Sequence, residues 1–102
     1  MGRVAFVMEL KPGVEAIYKQ KHDEIWPEMV DTLHAFGIHN YSIYRHGLTL
    51  FAYLETDDPS RLAGQAQNPV VQRWWKMMAP YMATNEDGSP RSTPIDEVFH
   101  MD

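Results

Sequence analysis

Along residues 3 to 10, RVAFVMEL, apolar side chains at Val4, Phe6, Met8 and Leu10 alternate with Ala5, Val7 and Glu9. This is the period of a strand with one well-buried face, and Pro12 and Gly13 end it. From Val14 the period changes: Val14, Ile17, Tyr18 and Ile25 recur at three, four and seven, the stripe of an amphipathic helix, with Glu15 near its positive end. Pro27 lacks an N–H and biases Trp26 away from helical backbone, so the helix must break near Trp26. A second helical segment starts at Pro27, presents Met29, Val30 and Leu33, and stops at Gly37.

The next stretches, IHNYSIYRH (38 to 46) and LTLFAYLE (48 to 55), are rich in aromatic and β-branched residues around Gly47 and predict a β-hairpin. Asp58 before Pro59 opens a short helix reaching about Gln67. Asn68 before Pro69 opens another, running to about Met82. Residues 84 to 94, TNEDGSPRSTP, read as a polar loop, and IDEVFHM (95 to 101) as a final strand. The order strand, helix, strand, strand, helix, strand predicts a single domain over residues 1 to 102. Its class is α+β: a ferredoxin-like, split βαβ, four-stranded antiparallel sheet with helices on one face. Phe51 and Tyr53 lie opposite Leu50, Ala52 and Leu54 in the hairpin, so the second sheet face also needs cover, and a symmetric homodimer is the economical way to provide it.

Composition narrows the partners. A net charge of −5 with nine dispersed Lys and Arg disfavours nucleic acid, and no apolar run approaches the roughly 20 residues that cross a bilayer. The short apolar stretch at the N-terminus is no secretory signal, and with no cysteine the expectation is a cytoplasmic protein without disulfides, thiolate metal sites or a cysteine nucleophile. The histidines form no metal-binding motif, the glycines no phosphate loop, and the serines no nucleophile elbow. A neutral small molecule or another protein remains.

Two clusters carry chemistry. Tyr18 and His22, four residues apart, share one helix face and can meet one ligand. An inward histidine is suited to proton transfer near neutrality, although it can equally be a core-edge imidazole satisfied by a neighbour. In QRWWKMM (72 to 78), Trp74 and Trp75 diverge by about 100° on a helix, so one packs in the core while the other lines an edge or pocket. Tyr41 on the hairpin and Trp26 add aromatic surface of the kind that meets the C–H face of a sugar.

In order and spacing, AFVMEL, YKQKHDEIWPEM, HNYSIY, LFAYLE, QRWWKMM and EVFHMD resemble the L-rhamnose mutarotase family over nearly the whole chain. The resemblance implies a dimeric ferredoxin-like isomerase of rhamnose metabolism, of the dimeric α/β-barrel type. It would interconvert the α and β anomers of L-rhamnopyranose without cofactor or metal. On the matching motifs the family's proton-donating histidine falls on His22, and its sugar-binding residues on Tyr18, Tyr41, Trp74 and Trp75. The competing readings on this architecture are a cofactor-less oxygenase and a small-molecule binding module.

Overall fold

The computed structural model describes residues 2–102. Strand β1 spans Gly2–Glu9, helix α1 Glu15–Asp23, helix α2 Pro27–Ala35, strand β2 Ile38–His46, strand β3 Thr49–Thr56, helix α3 Pro69–Met78 and strand β4 Ser92–Ile95. Two 3₁₀ segments, Pro59–Gln67 and Ala79–Tyr81, flank α3. The sheet is antiparallel throughout, with strand order β2-β3-β1-β4, which is the ferredoxin-like arrangement expected from the element order.

Each boundary has a local cause. Gly13 donates its N–H to the Glu15 carboxylate at 2.9 Å, and Glu15 sits in the first turn of α1, where a negative charge is favoured. Trp26 adopts φ −63°, ψ 134°, the extended backbone its proline neighbour demands, and Pro27 opens α2. The break falls slightly earlier than Trp26, because α1 already ends at Asp23. Gly37, at φ 79°, turns the chain out of α2 into β2. The Asn68 side chain accepts from Val70 N at 2.8 Å and Val71 N at 3.2 Å, capping α3. The segment after Pro59 is 3₁₀ rather than α-helical, and Pro80 ends the α-helical run that the sequence suggests continues to Met82.

Strand β3 alternates cleanly: Leu50, Ala52, Leu54 and Thr56 are buried, whereas Thr49, Phe51, Tyr53 and Glu55 are not. Leu50 and Ala52 of this row pack with Met8 of β1 and Leu10 just beyond it against Tyr18 of α1, Met29 of α2 and Val71, Trp74 and Met78 of α3. One sheet face thus meets every α-helix. The other retains Phe51 at 41% exposure, Tyr44 at 68% and Ile95 at 42%.

The C-terminal strand differs from the expectation. It occupies Ser92–Ile95, so three of its residues fall in the stretch read as loop and only Ile95 in the stretch read as strand, and residues 96 to 102 form no strand. Pairing is confined to Ala5–Met8 of β1, and Pro94 is tolerated there because β4 is an edge strand. Beyond it the Arg3–Glu97 ion pair at 2.7 Å tethers the chain, while Val98, Phe99 and Met101 are 94%, 78% and 77% exposed. These apolar side chains find no surface to cover within one chain. Among the described residues no helix is long and apolar enough to cross a membrane.

Candidate active site

A cavity of about 740 Å³ opens between the helices and the inner sheet face. Tyr18, His22, Tyr41, Trp74 and Trp75 all line it. They come from three separate parts of the chain, α1, β2 and α3, and the fold brings them together.

Helix α1 supplies the first pair. The spacing of four stacks the His22 imidazole on the Tyr18 ring, with centroids 4.3 Å apart and planes inclined by 31°. Tyr18 is buried and His22 half-buried, while Ile17, one position round the helix, is only half-buried. His22 Nδ1 lies 3.1 Å from the Tyr18 carbonyl oxygen. A carbonyl only accepts, so Nδ1 carries the proton and donates. Nε2 has no partner among the described residues, and no buried polar side-chain atom there is left unsatisfied, so Nε2 is accessible, with its lone pair free, on a residue that lines the cavity. Burial lowers the His22 pKa below its ordinary 6.5, partly opposed by the Tyr18 carbonyl and by Asp23. The neutral imidazole is therefore the resting form near neutral pH.

Helix α3 supplies the aromatic wall. Val71, Trp74 and Met78 recur at three and four and turn inward. Trp74 meets His22 edge-on, at 5.3 Å and 87°. Trp75, half-buried and about 100° round the helix, still reaches the same cavity, so the division into one core and one pocket tryptophan is not kept: Trp74 belongs to both. Trp26 does not line the cavity. Its ring stands edge-on against Trp74 at 5.2 Å and 88°, with the Arg73 guanidinium 5.9 Å above it, so it braces the wall from behind.

Strand β2 supplies Tyr41, whose ring meets Phe6 at 6.5 Å and 64°. The residue as a whole is 37% exposed, yet burial of its hydroxyl pushes the phenol up to about 12. Burial also raises the Tyr18 phenol well above its usual value, and the nearby Tyr41 adds to the shift. Both phenols thus stay protonated, as hydrogen-bond donors, at neutral pH. Arg45, opposite Leu50 on the inner face, also lines the cavity; alternation counted from Ile38 would point it outward, so the sequence carries no signal for it. Among the described residues no group of three or more His, Cys, Asp or Glu is gathered to hold a metal ion.

The arrangement offers one proton acceptor, two proton donors and an apolar aromatic wall around a space of small-molecule size. The L-rhamnose mutarotase family model matches residues 3–101. The L-rhamnose mutarotase of Opitutus terrae is 48% identical, and that of Bacillus subtilis 47%, each match covering 100% of both chains. The crystal structure of L-rhamnose mutarotase from Formosa agariphila superposes with a TM-score of 0.92 at 38% identity, again covering 100% of both chains. The chain belongs to the L-rhamnose mutarotase family, whose members are anomer-interconverting isomerases.

Proposed function

We propose that the cavity binds L-rhamnose and interconverts its α and β anomers, with His22 as the acid/base. The observation that carries the assignment is the His22 hydrogen bond: Nδ1 is committed to the Tyr18 carbonyl, and Nε2 is a free base on a residue that lines the cavity. Nε2 takes the proton of the anomeric hydroxyl as the C1–O5 bond breaks and C1 becomes an aldehyde. A phenol, Tyr18 or Tyr41, gives its proton to O5 in the same event; on reclosure O5–H returns that proton to the phenolate as O5 attacks C1, and the imidazolium gives its proton to O1. Rotation about C1–C2 before reclosure presents the other aldehyde face. Trp74 and Trp75 offer flat apolar surface to the C–H face and methyl group of the sugar, and Tyr18 and Tyr41 hydrogen-bond its hydroxyls.

No step calls for a redox group, and electrons stay paired throughout. The test is two-dimensional exchange NMR between the anomeric protons of L-rhamnose, with wild-type protein, with His22→Ala, and without protein. Acceleration by the wild type and its loss in the folded variant supports the assignment. Full acceleration by His22→Ala removes His22 from the role.

The uncovered sheet face and the C-terminal residues belong to a second part of this reading, a homodimer. Phe51, Tyr44 and Ile95, together with Val98, Phe99 and Met101, supply exposed apolar surface on one chain, and a two-fold partner would bury it in a self-complementary way. A cytoplasmic location completes the reading, since a chain without cysteine needs no oxidising compartment.

A further inference from the structure

Strand β2 contains a phase change on which the site depends. Ile38 and Ile43 lie opposite Thr56 and Ala52, both on the buried face of β3, although they are an odd number of residues apart. A regular strand, with side chains alternating strictly, cannot place both inward. The register supplies the explanation: His39 pairs with Glu55 and Ser42 with Tyr53, so Asn40 and Tyr41 together stand opposite Leu54 in a β-bulge. Without the extra residue, Asn40 and Ser42 would follow Ile38 onto the inner face, and Tyr41 and Ile43 would turn outward.

Asn40 is what makes the bulge affordable to the backbone. It has φ 47°, the only positive φ of a non-glycine residue among those described, in the left-handed region that asparagine tolerates better than most side chains. Its Nδ2 donates to Glu55 Oε1 at 2.9 Å, and Glu55 Oε2 in turn accepts from the Tyr53 hydroxyl at 2.8 Å. The side chain is thereby tied across the strand pair to β3, and the next residue, Tyr41, turns towards Phe6 and the cavity.

We propose that Asn40 is the positioning residue for Tyr41: by holding a left-handed bulge against Glu55 it turns the Tyr41 phenol into the sugar cavity. The proposal rests on the role given to Tyr41 above, and its test separates the two. Asn40→Val resists positive φ, Asn40→Ala resists it more mildly, and Asn40→Gly accepts it without the amide. Tyrosines carrying ¹³C at ζ report the Tyr41 phenol by NMR, its resonance identified by its loss in Tyr41→Phe. The wild-type phenol is expected to titrate well above the ordinary 10.0; in Asn40→Val and Asn40→Ala it moves down towards that value, and in Asn40→Gly it returns towards the wild-type value. In parallel, kcat/KM for anomer exchange falls about tenfold in Asn40→Val, as for one hydrogen bond lost, and Asn40→Gly rescues it. Adding Tyr41→Phe to Asn40→Val costs nothing further, because the phenol is already misplaced.

An unmoved Tyr41 resonance in the valine and alanine variants overturns the proposal. So does an Asn40→Gly variant that behaves like Asn40→Val, since backbone conformation would then not be what Asn40 supplies. If Asn40→Val does not fold, the alanine and glycine variants decide by the same two readouts. If Tyr41→Phe alone keeps the wild-type rate, the role of Tyr41 in the reaction fails, and the titration still decides whether Asn40 positions it.

Discussion

The two faces of the sheet are built from the same kinds of residue and put to different uses. On the inner face, Met8, Leu50 and Ala52 close the core, and Tyr18, His22, Tyr41 and Trp74 surround the cavity. On the outer face, Phe51, Tyr44 and Ile95 lie open among charged neighbours such as Glu55 and Arg3. What separates them is the environment the helices create. Desolvation lowers the His22 pKa and raises those of Tyr18 and Tyr41, whereas the outer Tyr53 is raised chiefly by its hydrogen bond to Glu55. An aromatic residue becomes chemically tuned here by burial, and by its partners where water can still reach it.

This contrast can be broken deliberately. The largest effect is expected inside: His22→Ala removes the proton acceptor and lowers the enzyme-catalysed anomer exchange about 10²- to 10⁴-fold, read by exchange NMR at matched protein concentration. Next, Trp74→Ala takes out a side chain shared by core and cavity wall and costs about 3–5 kcal/mol, measured as a lower urea midpoint. A change of under 1 kcal/mol would mean that Trp26 and His22 do not depend on that indole for packing.

The outer face should answer in assembly instead. Phe51→Glu places charge at the centre of the proposed contact, and sedimentation velocity should show a shift from dimer to monomer while the cavity residues stay untouched. A wild-type chain that sediments as a monomer would sink the dimer outright.

A milder probe is pH. Only neutral His22 accepts a proton, so activity falls as pH drops through its lowered pKa, and the acidic limb of the kcat/KM profile lies below 6.5. The same shift acts on stability: between the folded pKa and the unfolded value the unfolded chain binds more protons, so stability falls as pH falls through that window. An acidic limb above 6.5 would contradict the desolvated site. The smallest effect belongs to Arg3→Ala, which removes the exposed pair with Glu97 and should leave the urea midpoint essentially where it is.

Much of this molecule was legible from neighbouring residues. The spacing of Tyr18 and His22, the break imposed by Pro27, the Asn68 cap and the hairpin around Gly47 depend on contacts within a few residues, and each stands in the structure where the pattern puts it, give or take a residue or two. Trp26 was misplaced as cavity lining because a proline signals a bend without saying which side of the neighbouring helix the ring will meet. The last strand was drawn too late in the chain, because the apolar residues at 98, 99 and 101 read as strand-forming whether or not a partner strand is within reach.

The sequence by itself therefore determined most of the elements and their order, since propensity, caps and periodicity act over one or two turns, and the family came from the resemblance of its motifs. Three matters waited for the tertiary structure. The tautomer of His22 depends on which nitrogen meets the Tyr18 carbonyl, the double use of Trp74 depends on how α3 lies across α1, and the inward turn of Tyr41 depends on a register shift against β3. Alternation along β2 alone cannot reveal that shift, because a bulge is defined only by the strand it pairs with.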